Sequence, residues 1–148
     1  RLGLVGSEMC IRDRLNAMSA EFKNKNVLIV DDSIVRGTTS KEIVQMAKDA
    51  GANKVFFTSA APPVRYPHVY GINMPNRDEL IAHDRTVSEI ADQLEIDNLV
   101  YQSVENLYKS IISDSMVEHL EMSCFNGTYV TGTVNQEYLN WVENEYKS

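Results

Sequence analysis

The 148-residue chain reads as an α/β protein, a parallel sheet flanked by helices. Three observations predict this class. Val27-Leu28-Ile29-Val30 is an unbroken apolar run, a helical pattern follows from Ser40 to Ala50, and Lys54-Val55-Phe56-Phe57-Thr58-Ser59-Ala60 forms a second strand-like run after Gly51. Strand, helix and strand with short joints make a βαβ unit, whose crossover is right-handed and whose strands lie parallel. Four apolar residues without polar alternation predict a first strand covered on both faces, as parallel strands usually are.

Composition sets the outer limits. The length suits one ordinary domain with a real core, and no stretch is apolar enough for a membrane span. A net charge of -7 argues against a nucleic-acid or anionic-membrane surface, because phosphate backbones need clustered Lys and Arg. Cys10 and Cys124 make no disulfide framework, and a reducing cytoplasmic setting is the simplest. No secretory signal is visible at the start.

In chain order, residues 1–14 (RLGLVGSEMCIRDR) lack an amphipathic period and resemble translated sequencing-adapter sequence, a non-native or disordered arm. From Leu15 the texture is native, and Lys23-Asn24-Lys25-Asn26 forms a polar turn before the first strand. In the helix that follows, Ile43, Val44, Met46 and Ala47 share one side, and Gly51 stops it as a left-handed cap. Pro62, Pro63 and Pro67 favour an ordered extended loop after the second strand, where Arg65, Tyr66 and His68 either meet a ligand or pack the loop. The residues from Pro75 to Ala82 read as a short capped helix, with His83 in a turn behind it. Thr86-Val87-Ser88-Glu89 has the capping-box form and starts another helix through Leu94. Leu99-Val100-Tyr101 reads as a strand, Ser103 to Ile112 as a helix, and Met116 to Met122 as a further helical turn. Asn126-Gly127 reads as a turn, and Asn135 to Lys147 as an acidic helix docking through Tyr138, Leu139, Trp141 and Val142.

The chemistry gathers where the first strand ends, in Asp31-Asp32-Ser33-Ile34-Val35-Arg36-Gly37-Thr38-Thr39-Ser40. Ligands of parallel sheets bind beyond the strands' carboxyl ends. Adjacent acids there point to different sides and can grip hydroxyls of one polyol or share a hydrated cation. Gly37 permits a tight turn, while Ser33, Thr38, Thr39 and Ser40 offer hydroxyls beside the amides of a starting helix. The combination suits a sugar phosphate. No Walker loop and no G-x-G-x-x-G is present. The plain alternative is a strand followed by a polar cap, with Thr38 or Thr39 capping the helix.

The loop resembles at every position the phosphoribosyl pyrophosphate (PRPP) signature of type I phosphoribosyltransferases. Further motifs follow in the order found in the glutamine PRPP amidotransferase family: Leu15-Asn16-Ala17, Ser59-Ala60-Ala61-Pro62, Tyr70-Gly71-Ile72-Asn73-Met74-Pro75, Glu79-Leu80-Ile81-Ala82 and Phe125-Asn126-Gly127-Thr128-Tyr129. The resemblance implies an incomplete type I phosphoribosyltransferase sheet over 15–125, with a C-terminal helical tail over 126–148. It implies that Asp31 and Asp32 hold the ribose hydroxyls and the Mg2+ of PRPP. Ser33, Arg36, Gly37, Thr38 and Thr39 would surround the phosphate. The family makes phosphoribosylamine, glutamate and pyrophosphate from PRPP, glutamine and water, the first committed step of purine synthesis. Purine nucleotides as inhibitors and a homo-oligomer are further implications.

The departures set expectations too. A family member begins with a glutaminase domain bearing an N-terminal Cys, followed by earlier phosphoribosyltransferase strands and a pyrophosphate loop, none of which is recognisable here. The chain is therefore expected to be an inactive C-terminal fragment without an assured catalytic residue, its partner being the glutaminase domain of the same full-length chain. Cys10, followed by Ile11-Arg12-Asp13-Arg14, is a decoy for that nucleophile. Some relatives hold an iron–sulfur cluster through four Cys, but His68 and Glu121 stand at two of those positions beside Cys124, so no cluster is expected and Cys124 reads as a small buried residue. Two other functions remain open: a base-accepting salvage or pyrimidine phosphoribosyltransferase, and a PRPP-sensing regulator without catalysis.

Overall fold

The computed structural model describes residues 19–71, 76–113 and 115–147. The adapter-like arm, Cys10, Leu15-Asn16-Ala17 and the segment around Asn73-Met74-Pro75 lie outside the described residues. A short helix α1 (Ser19–Phe22) leads into β1 (Asn26–Asp31), α2 (Thr38–Asp49) and β2 (Lys54–Ser59). A 3-10 turn (Arg77–Glu79), α3 (Val87–Leu94), β3 (Asn98–Tyr101), α4 (Val104–Ile112), α5 (Ser123–Asn126) and α6 (Gln136–Lys147) follow. The sheet has the order β1-β2-β3 and is wholly parallel. Val27 pairs with Val55 and Ile29 with Phe57, which in turn faces Leu99.

The core lies on one face of this sheet. Val55, Phe57 and Leu99 meet Val44 and Ala47 of α2 and Ile90 and Leu94 of α3, all nearly inaccessible to water. Burying each larger side chain there stabilises the fold by roughly 1.5–3 kcal/mol. The other face is open: Leu28, Val30 and Val100 are 62%, 70% and 55% exposed. This corrects the expectation of a first strand covered on both sides. The reason is topological. Strands laid down in one direction with right-handed crossovers put every connecting helix on the same face, and here α2 and α3 pack together against β2 and β3.

Local signals explain the helix limits. Gly51 adopts φ +89° just beyond α2, as expected of a left-handed stop. Thr86 caps α3 in a capping box, its Oγ1 accepting from Glu89 N–H while the Glu89 carboxylate accepts from Thr86 N–H at 2.7 Å. Glu95 closes α3 in the left-handed region and pairs with Lys41 and Lys48 at 3.2 and 3.4 Å, tying α3 to α2. Ser103 caps α4.

Three other expectations change. The short capped helix expected from Pro75 to Ala82 is present as a 3-10 turn confined to Arg77–Glu79 and capped by the Asn76 side chain, because Leu80 returns to extended backbone before a further turn begins at Ile81. The helical turn expected at 116–122 falls at α5 instead, where the Glu121 carboxylate accepts from Ser123 N–H and Gly127 at φ +73° ends the helix. In α6, Leu139 is buried but Trp141 is 57% and Tyr138 41% exposed, so the helix does not dock through its aromatic rings. Its anchor is polar: Arg77 donates to both carboxylate oxygens of Glu143 and to Asn140 Oδ1.

Candidate functional site

Asp31 is the last residue of β1 and Asp32 the first beyond it. Their backbone carbonyls accept from Ala60 N–H at 2.9 Å and Ala61 N–H at 2.8 Å, so the exit of β2 holds the acid pair in place. The carboxylates accept locally: Asp31 Oδ1 from Asp32 N–H at 2.9 Å, and Asp32 Oδ1 from Ser33 N–H at 2.6 Å. Ile34, 1% exposed, pins the loop to the core, and Ser40 is buried at the start of α2. Between these two anchors the polar residues line an open cleft of about 510 Å³, formed by Asp31, Asp32, Ser33, Val35, Arg36, Gly37, Thr38, Thr39 and Ser40. Every residue expected to bind ribose or phosphate therefore lines this one cleft.

Gly37 is required by geometry. It takes φ +78°, and a Cβ there would lie 2.3 Å from Ile81 Cδ1. It also occupies the helix N-cap without any side-chain cap, so neither Thr38 nor Thr39 has the capping role that the plain alternative gives it. The start of α2 thus presents amides and hydroxyls together, the arrangement that suits an anion. Glu79 was missed by sequence reasoning: its Oε2 accepts from Arg36 Nε at 2.5 Å across 43 positions of chain. No local signal could have revealed that partner.

The proline-rich loop after β2 behaves differently. Arg65 Nη1 donates to the carbonyls of Ala82 and Arg85 at 2.8 and 3.0 Å, and its own carbonyl contacts His83 Nδ1 at 3.1 Å. His68 Nε2 pairs with Glu121 Oε2 at 3.2 Å, and the Tyr66 ring lies against Gly127. These residues pack the loop. Glu121 sits beside Cys124, whose carbonyl accepts from Arg65 and Tyr66 N–H. Burial pushes the Cys124 thiol up, with the Glu121 charge adding to it, and the side chain is half-buried rather than enclosed. Burial also pushes the hydroxyls of Tyr101 and Tyr129 up to about 12, with Arg65 opposing the first and Arg77 the second. Among the described residues no three His, Cys, Asp or Glu side chains are grouped to hold a metal. No helix among them is long and apolar enough to cross a membrane.

A parallel sheet flanked by helices, with an acid pair and a hydroxyl-rich loop at one strand's carboxyl end, defines an incomplete type I phosphoribosyltransferase fold. The comparisons agree. The glutamine PRPP amidotransferase of B. subtilis, solved in complex with ADP and GMP, superposes with a TM-score of 0.68 at 39% identity over 76% of this chain and 25% of that one. The structure of an allosteric regulatory enzyme of purine biosynthesis superposes at 0.69 with 34% identity, over 88% of this chain and 29% of that one. In sequence, the amidophosphoribosyltransferase of Haemophilus influenzae is 53% identical over 130 residues, covering 87% of this chain and 26% of that protein. No protein-family model matches. The chain is a homologue of the amidophosphoribosyltransferases and spans about a quarter of the length of the relatives it matches.

Proposed function

We propose that this chain carries the PRPP-binding segment of an amidophosphoribosyltransferase, the enzyme that replaces the pyrophosphate of PRPP with an amino group. The observation that supports it most is the one cleft lined by Asp31 and Asp32 together with the Gly37 loop. The two acids face the ribose hydroxyls, and Ser33, Arg36, Gly37, Thr38 and Thr39 surround the 5-phosphate. Magnesium fits this donor set, because it typically takes one or two carboxylates and completes its shell with substrate phosphates and water instead of an all-protein cage. When bound, it neutralises charge on the departing pyrophosphate. The carboxylates of Asp31 and Asp32 would hold it while favouring the positive charge that develops on the sugar.

The same reading accounts for the open sheet face. Leu28, Val30 and Val100 are the surface on which the earlier strands and helices of a full-length protein would pack, this chain matching only 26% of the Haemophilus influenzae relative. The domain division at residues 125 and 126, the glutaminase partner, a homo-oligomer, a cytoplasmic setting and the absence of nucleic-acid binding belong to this proposal. So does purine-nucleotide inhibition, which the ADP and GMP in the B. subtilis structure support. By itself the chain would bind PRPP without turning it over. Because Arg65 and His68 are engaged in contacts within the protein, the loop after β2 gives no support to a base-accepting enzyme.

Calorimetric titration of PRPP with Mg2+ into this chain provides the test. Binding by the unmodified chain that disappears in Asp31→Asn/Asp32→Asn is the expected result. Equal binding by both, or none by the unmodified chain, would refute the assignment.

A further inference from the structure

The turn at 77–82 meets the phosphate loop in three independent ways. Ile81 N–H donates to Val35 O at 2.9 Å, the Ile81 side chain fills the space beside Gly37 that a Cβ would need, and Glu79 accepts from Arg36 Nε at 2.5 Å. Leu80, Ile81 and Ala82 are buried, so the turn is a fixed support and not a surface flap. The same turn is also gripped by α6. Arg77 Nη2 donates to Glu143 Oε2 at 3.1 Å and to Asn140 Oδ1 at 3.0 Å, while its Nε donates to Glu143 Oε1.

The two ion pairs differ in environment. The Arg77 and Glu143 side chains are 23% and 13% exposed, against 46% and 45% for Arg36 and Glu79. A two-pronged guanidinium–carboxylate contact fixes both distance and plane, and it weakens less in water and salt when it is partly buried. The inner pair is therefore the stiffer joint, and the outer pair transmits its position to the loop.

We infer that the 77–82 turn is the positioning element of the phosphate loop, with Glu79 orienting Arg36 and the Arg77–Glu143 clamp of the C-terminal helix holding the turn in place. Glu79, Arg77 and Glu143 are positioning residues: they act through the loop, not on the reacting atoms. The C-terminal helix, which begins at Gln136, far beyond the loop that ends at Ser40, thereby sets how well the loop is formed before ligand arrives. This deepens the PRPP reading and rests on it for its ligand, whereas the loop geometry can be measured without ligand.

Two measurements on the same variants test the inference. Hydrogen exchange is followed at the amides of Ile81 and Lys41, which bond Val35 O and Gly37 O. PRPP with Mg2+ is titrated in parallel. Arg77→Glu and Glu143→Arg should each speed exchange at both amides and weaken PRPP binding, by about tenfold, and the double reversal should restore both. Glu79→Gln should weaken binding several-fold with Glu79→Asp recovering part of it, and this half-exposed pair serves if the reversals do not fold. A helix that merely adds stability would lower the melting temperature while leaving Ile81 and Lys41 exchange and PRPP affinity unchanged, and that result overturns the inference. Should the unmodified chain bind no PRPP, the ligand assignment fails, and the exchange data alone decide the positioning role: recovery in the double reversal upholds it, no change in the single variants overturns it.

Discussion

The loops that leave β1 and β2 start at the same carboxyl end of the sheet, and both carry residues able to bind a ligand, yet their polar groups are used in opposite ways. After β1, backbone bonds and the buried Ile34 hold the chain while Asp31, Asp32, Thr38 and Thr39 line open space. After β2, Arg65 is bonded to two carbonyls, His68 to Glu121, and Tyr66 is packed on Gly127. Residue type alone does not mark a binding loop. What separates the two is where each donor and acceptor is already paired.

The contrast can be broken in several ways. The largest effect should come from Gly37→Val, which forces a β-branched residue to φ +78° against Ile81. It should destabilise the fold by about 2–3 kcal/mol and abolish PRPP binding, as chemical unfolding and titration would show. Normal stability and binding would mean that the loop is not set by this backbone geometry.

Next, Arg65→Met leaves the carbonyls of Ala82 and Arg85 without their donor, and a loss of about 1–3 kcal/mol in urea unfolding is expected. An unchanged midpoint would show that the second loop is not held by Arg65.

A smaller effect should follow pH. Burial raises Glu121, but the Ser123 amide and hydroxyl and the His68 ring outweigh it, so its folded value falls below the ordinary 4.5. A depressed carboxylate contributes its stability in full above its unfolded value and loses it as pH falls through the folded one. Stability should therefore decline as pH falls from the ordinary carboxylate range through the lowered folded value, and Glu121→Gln should flatten that decline. A steeper decline in the variant would reverse the assigned sign. The smallest effect on function belongs to His68→Gln, which should leave PRPP affinity within about twofold, since His68 packs the loop instead of facing the cleft. A clear loss of affinity with the fold intact would place the second loop in the site.

Much of this was legible in the sequence because it is local. The period of Ile43, Val44 and Ala47, the Thr86 to Glu89 capping box, and the glycine between acids and hydroxyls each report on a few neighbouring φ/ψ angles. Where the sequence misled, the answer depended on something distant. The apolar run of β1 read as doubly buried because its residues suit a covered strand, but which face is covered within this chain depends on the direction of strand addition. Tyr138, Leu139, Trp141 and Val142 read as the docking face of α6, but of these Leu139 is buried while Tyr138 and Trp141 are exposed, and Arg77, from the turn after the second strand, supplied a polar anchor.

The sequence by itself therefore determined the parallel βαβ core, the acid pair at the strand end and the need for glycine in the loop, because side-chain periodicity and backbone sterics act between neighbours. Only the tertiary structure decided that the sheet is one-sided, that Arg36 answers to Glu79, and that Arg65 and His68 are engaged in internal contacts. Those outcomes are pairings between groups far apart in the chain, and no local pattern records which of several suitable partners folding will bring within hydrogen-bond reach.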